Sequence, residues 1–366
     1  MTALRWVGFA VGVAVTAGTV VAVMKTLIVP RRSWSILSAS VGRVGFKLFH
    51  GVARRLPSYD LADRLLGFQA PFVIVGILVG LLGAFVVGFA LMLLPWAEPT
   101  LGDALREAGS SVFTLGFIFT DAPVPTVLDV LGGATGMIFV ALTIGYLPAM
   151  YSEIKRREAT VRRLEGTCGT PSWGPEVLAR HTLAGALDSL PTLYDRWDGW
   201  CARVAETHLK YPVLTHFRRP RARNHWVVTL LAVLDAAALD ITLRPSQHHG
   251  AARLLLDQGV GCLEAVAYPM RRVDPGHRDV GLDRTEYATG VERLVAAGFP
   301  VEGGGEEAWE AFASLRSRYA PLAQQLAFWL IAAPAPWSGD RDGFPGLTAA
   351  PEHPLAWPAG DPPNPS

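Results

Sequence analysis

Between two long apolar stretches lies the run Gly109-Ser110-Ser111-Val112-Phe113-Thr114-Leu115-Gly116-Phe117. Its last four residues form a Thr-x-Gly-aromatic tetrad. A short loop of this kind, turned back on itself at membrane depth, lines a narrow passage with backbone carbonyls that replace the water around a cation. The chemistry in view is therefore coordination of a dehydrated monovalent ion by main-chain oxygen. Other reactive residue types do not assemble into motifs. His248 and His249 lack a third ligand at fixed spacing and read as a turn. Gly303-Gly304-Gly305 lacks the Lys-Ser/Thr of a phosphate loop, and no dinucleotide-binding glycine pattern occurs. His181, Asp235 and Asp240 have no nucleophile–base motif beside them. No catalytic residue, cofactor or metal site is expected, and the chain does not read as an enzyme. Cys168, Cys201 and Cys262 are odd in number and show no CxxC spacing, which argues against a disulfide framework and a zinc site.

A loop at membrane depth needs spans to hold it. Hydrophobic residues make up 50% of the chain and charged residues 18%. No charge interrupts Trp6–Met24, Leu65–Ala97 or Val130–Ser152. Each run is long enough to cross a bilayer core as a helix, so three spans are predicted. The first run exceeds the apolar region of a signal peptide, and Pro30-Arg31-Arg32 rather than a cleavage site follows it, so it reads as a retained helix. Basic residues crowd the connections after the first and third spans, whereas Glu98, Asp103, Glu107 and Asp121 face Arg106 alone between the second and third. The positive-inside bias then puts the N-terminus outside, the loop at the outer mouth and the C-terminal part in the cytoplasm. Residues 33–67 form a basic amphipathic connection. Two readings of it stay open: a helix lying among anionic headgroups, or a solvated connector.

Residues Gly102–Phe117, with Asp121 and Pro123 after them, resemble the pore helix and filter of the potassium-channel superfamily. Val127–Met150 resembles its inner helix. The family reads Thr-Val-Gly-Tyr-Gly-Asp; this chain reads Thr114-Leu115-Gly116-Phe117-Ile118-Phe119-Thr120-Asp121. The resemblance spans roughly residues 70–155. It implies a selectivity filter at Thr114, Leu115, Gly116 and Phe117, a homotetramer around one axis, and passage of a monovalent cation, most naturally K+. It implies a gating hinge at Gly136 or Gly145 in the inner helix, although close helix packing explains such glycines equally well. Asp121 and Asp129 fall near the pore mouth, where carboxylates concentrate cations; an ordinary interfacial charge is the other reading of Asp129. One departure stands out. Ile118 replaces the second filter glycine, and a β-branched residue at positive φ is a strong outlier. The outer half of the filter must therefore be rebuilt. A poorly selective cation channel and a non-conducting scaffold or sensor on the same fold both remain open.

The expected architecture is an all-α membrane protein with three transmembrane helices, a re-entrant pore loop and a helical cytoplasmic domain. Its parts are a first span (1–29), the basic connection (30–69), a pore module (70–155) whose inner helix Pro148 closes, a linker (156–174) that begins with the helix-compatible Arg156–Arg163 and ends in Gly166–Gly174, the helical domain (175–333) and a tail too rich in Pro and Gly to fold (334–366). The apolar run His225–Ile241 carries Asp235 and Asp240 and reads as a buried domain helix. Arg218-Arg219-Pro220-Arg221-Ala222-Arg223 reads as a solvated or membrane-facing loop; no nucleic-acid fold accompanies it. The expected setting is a bacterial inner membrane, with lipid, like chains and monovalent cations as partners and no nucleic acid.

Overall fold

The computed structural model describes residues 2–28, 36–96, 100–218, 225–270 and 281–339. Among them the chain is all-α, with no strand. In order the helices are α1 (Thr2–Val23), α2 (Ile36–Ala53), α3 (Tyr59–Gly67), α4 (Gln69–Leu93), α5 (Leu101–Val112), α6 (Pro123–Cys168), α7 (Gly174–Leu183), α8 (Leu190–Lys210), α9 (Trp226–Leu243), α10 (Gly250–Met270), α11 (Arg284–Ala296), α12 (Gly305–Ser317) and α13 (Ala320–Trp329). Four stretches are long and apolar enough to cross a membrane: Ala3–Ile28, Tyr59–Leu93, Pro123–Cys168 and Trp226–Leu243. Two compact units divide the chain.

The first unit comprises residues 1–50, 68–153 and 209–214. Glycine sets its helix spacing. A Cβ on Gly12 of α1 would lie 2.6 Å from the Gly88 carbonyl of α4, and one on Gly88 would collide with Thr16. The two helices therefore run antiparallel with backbones almost touching, as small residues allow where lipid supplies no hydrophobic drive. Trp6, Phe9 and Trp96 close one end of this pair, with ring centroids 5.6–5.9 Å apart. On α2, Leu37, Val41 and Gly45 meet Gly80, Gly76 and Val73 of α4 in turn, so α2 runs antiparallel along the first half of α4. One face of this basic segment packs along α4, while Ile36, Val44 and Leu48 remain exposed. Phe85 of α4 meets Phe139 of α6 edge-on. Pro148 does not end α6, which continues as a helix to Cys168. The expected linker is thus non-helical only after that point.

The second unit comprises residues 51–67, 154–208 and 215–366. At its centre is α9, against which α7, α10, α12 and α13 pack. Its apolar window is 94% buried, against 17%, 33% and 22% for the other three candidate spans. A helix that is apolar all round has to be covered on every side, and here its own unit covers it. The two acids on α9 are paired inside the core. Asp235 accepts from Arg316 Nε at 3.0 Å and from the Tyr319 hydroxyl at 2.8 Å. Asp240 accepts from the Tyr194 hydroxyl at 3.1 Å and forms an ion pair with Arg244. Burial, followed by the neighbouring carboxylates, holds both tyrosines well above the usual phenol range. His249 is tied into the same corner, its Nε2 lying 2.8 Å from the Arg244 carbonyl.

Two segments expected elsewhere belong to this unit. The α3 helix is anchored by the Tyr59 hydroxyl, which donates to the Ile331 carbonyl at 3.3 Å, and by Asp63, which pairs with Arg218. Arg218 also donates to the Leu330 and Ile331 carbonyls, so the first residue of the basic run is a structural bridge. The rest of that run, residues 219–223, lies outside the described residues. Packing also continues past 333. Trp337 is 7% exposed, meets Trp173 edge-on and takes a hydrogen bond on its carbonyl from Arg316 at 2.6 Å. The expectation of an unfolded tail therefore fails for residues 335–338; 340–366 lie outside the described residues.

Arg157 illustrates how a charge is held in this interior. Its guanidinium stands 5.1 Å from the Trp226 ring centre, donates to the Phe217 carbonyl at 3.0 Å and reaches His208 Nε2 at 3.2 Å. His208 Nδ1 lies 2.9 Å from the Val204 carbonyl, so Nδ1 carries the proton and Nε2 accepts. Burial first, then Arg157, brings His208 down to about 3. An unfolded chain takes up that proton near 6.5. Between these values the unfolded state binds more protons, so stability is present above pH 6.5 and falls as the pH is lowered. The loss is about 1.4 kcal/mol per pH unit in that window, and His208→Gln should flatten it, read from denaturant midpoints of tryptophan fluorescence. Arg316→Met leaves Asp235 buried without its cation and should cost about 3–5 kcal/mol by the same measurement.

Candidate functional site

The run 109–121 begins inside α5. Thr100 caps that helix by accepting from the Asp103 amide at 3.3 Å. Ala104, Glu107, Ala108, Ser110 and Val112 form its buried face, and α5 packs on α4. Its C-terminal turn rests on α6. The Gly132 Cβ position lies 3.4 Å from the Ser111 side chain, that of Gly133 lies 3.4 Å from the Ser111 carbonyl, and a Cβ on Gly136 would overlap the Val112 carbonyl oxygen. Gly136 is thirteen residues into a helix that begins at Pro123. At 1.5 Å per residue the end of α5 thus sits roughly 20 Å along α6 from its start. Residues 113–122 must climb that distance back to reach Pro123.

The returning chain is fastened to α5 by its amides. Leu115 and Gly116 N–H donate to the Ser110 carbonyl at 2.8 and 3.4 Å. Phe117 and Ile118 N–H donate to the Ser110 hydroxyl oxygen at 3.0 and 3.2 Å. Thr120 donates through its N–H and its hydroxyl to the two oxygens of Glu107, at 2.7 and 2.9 Å. Glu107 itself is 3% exposed. A trans peptide is planar, with N–H and the preceding C=O on opposite sides. Tying the amides of Leu115 to Ile118 to α5 therefore turns the carbonyls of Thr114, Leu115, Gly116 and Phe117 away from it. Among the described residues nothing donates to those four oxygens. The turn is made by left-handed backbone at Thr114 (φ 56°) and Gly116 (φ 68°). For Thr114 this conformation is costly, and five amide contacts on two α5 side chains and one carbonyl hold the segment that contains it.

The other predicted positions are placed as follows. Ile118 does not adopt positive φ, and its N–H is the last in the continuous tethered series. Asp121 is exposed near the end of the loop. Asp129 turns behind it, where one carboxylate oxygen accepts from the Ser111 hydroxyl. It therefore braces α5 against α6. Gly136 is the contact point of α6 with α5, while a Cβ on Gly145 would meet open space. Of the two residues that organise the loop, Glu107 reads in the sequence as an acid of the outer loop on the polar face with Asp103, but the structure buries it beside Ala104 and Ala108, and Ser110 is not singled out. The available signal for Glu107 was an acid set among alanines on the apolar side of a short helix. Ser110 carried none. Comparison with protein-family models, curated proteins and solved structures gives no match to this chain.

Gly136→Ala introduces a methyl group where Val112 already sits. Overpacking of this kind costs about 1–3 kcal/mol and should lower the detergent melting temperature. Gly145→Ala, in open space, should leave it unchanged.

Proposed function

We propose that this chain is a membrane cation channel in which residues 113–122 re-enter the bilayer and four copies surround one pore. The observation that carries this reading is the orientation of the Thr114–Phe117 carbonyls, all turned off α5 by amides bound to Ser110. Four copies would stack these oxygens into four rings, a setting that replaces an ion's hydration shell. The C-terminal end of α5, negative by the helix dipole, favours a cation there. On this reading α1, α4 and α6 span an inner membrane, and α9 does not because its own unit encloses it. Basic connections then place the N-terminus outside and the second unit in the cytoplasm.

Exposed apolar side chains support the assembly. Leu115, Phe117 and Phe119 are 63%, 63% and 73% exposed, and Val130, Met137 and Ile138 on α6 are 61–67% exposed. Irregular backbone at membrane depth persists only when packed in protein or lining water, so the loop needs other chains around it. Ion choice follows from the length of the series. The tethered carbonyls end at Phe117, one short of the family pattern, which favours monovalent cations with K+ only modestly preferred over Na+. The absence of the second filter glycine also supports a non-conducting scaffold on the same fold.

Reversal potentials of purified protein in planar bilayers under K+ and Na+ gradients decide between the two. A channel gives cation current, and Ser110→Ala, which takes the acceptor from two amides, should abolish its modest preference for K+ over Na+. Folded tetramer that stays silent in both forms would support the scaffold.

A further inference from the structure

A cavity of about 370 Å³ lies within the second unit, between the end of α6, the end of α7 and the start of α8. Its size falls in the range of small-molecule sites, roughly 300–1,000 Å³. Arg163, Arg180, Arg196 and His181 line it, with no carboxylate among the lining residues. The four cations differ in what they already hold. Arg180 Nε is bound to Glu176 at 2.7 Å and is neutralised there. The His181 ring turns Nδ1 toward the Val177 carbonyl at 2.7 Å, which leaves Nε2 as its second polar atom. The guanidinium groups of Arg163 and Arg196 have no hydrogen bond or ion pair among the described residues. The hydroxyls of Thr160 and Thr192 also line the cavity and have no partner there. Two arginines with unpaired guanidinium groups, a histidine and two threonines thus line one concave space.

We infer that this cavity binds a small phosphate monoester of about mononucleotide size. A guanidinium presents paired donors that match phosphate oxygens, and each charge-assisted contact is roughly twice as strong as a neutral one. A surface serving only solubility intersperses both signs of charge, whereas here every charge lining the cavity is positive. Inorganic phosphate would fill only a fraction of 370 Å³, so the remaining volume is for the organic part of the ligand. The site stands on the second unit alone and does not depend on whether the chain conducts ions.

Isothermal titration of the full-length protein in detergent tests it, with adenosine monophosphate, ribose 5-phosphate, glycerol 3-phosphate and inorganic phosphate as probes. The glycerol ester reports on a lipid-headgroup source and the other two esters on soluble metabolites. At least one ester should bind saturably, one per chain, and more tightly than inorganic phosphate. Arg163→Gln/Arg196→Gln should weaken it at least tenfold, since two charge-assisted contacts are lost. Both arginines are exposed, so the double variant should melt as the parent does. Arg162→Gln, an exposed neighbour outside the cavity, should bind as the parent does. No saturable heat from any ester at millimolar concentration overturns the assignment. So does an affinity that survives the double substitution, or one lost equally in Arg162→Gln.

Discussion

Backbone amides need acceptors, and in the loop after α5 that single requirement shapes the site. A returning chain has few carbonyls of its own to offer them. Ser110 and Glu107 supply the acceptors instead: a carbonyl and a hydroxyl take four consecutive amides, and a carboxylate takes the next tethered one. Because every peptide is planar, satisfying the amide side dictates where the carbonyls go. The oxygens of Thr114–Phe117 are turned away from α5 as a consequence of hydrogen-bond accounting on its far side. Glycines on α6 permit the arrangement by letting α5 come close enough for Ser111 and Val112 to touch that helix.

The second unit solves a related problem in a different way. Its central helix is as apolar as a membrane span yet carries Asp235 and Asp240. Each acid is matched by an arginine and a tyrosine. A buried ion pair of this type is weak evidence of net stability. It does fix which helices meet, since Arg316 is brought to α9 from α12 and then holds Trp337 through its carbonyl. The same logic covers Arg157, whose charge is paired with Glu158 and further spread over Trp226, a carbonyl and a neutral His208.

Much of this was legible in the residues. Uncharged runs marked α1, α4 and α6, and the two acids in His225–Ile241 marked a helix that its own unit buries. Other features were not. Pro148 looks like a stop, yet α6 passes through it, because a helix long enough can absorb one missing hydrogen bond. Trp337 sits in a stretch whose proline and glycine content argues for disorder, and only its contacts with Trp173 and Phe312 reveal it as core. Gly136 reads equally as hinge or contact until Val112 is found against it. Ser110 is silent because its role depends on the left-handed turn four residues later. The Arg163–Arg196 cavity is likewise made by residues far apart in the chain, and no local pattern announces it.

The claim at the centre is that the Thr114–Phe117 carbonyls of several copies face one another and hold a cation. Anomalous scattering from crystals of the assembled protein soaked in Rb+ or Tl+ tests this most directly. Peaks on a symmetry axis, within about 3 Å of those four carbonyl oxygens, are the predicted result. An assembly in which the loops of different copies lie apart from any shared axis, with no ion at these oxygens, would contradict it.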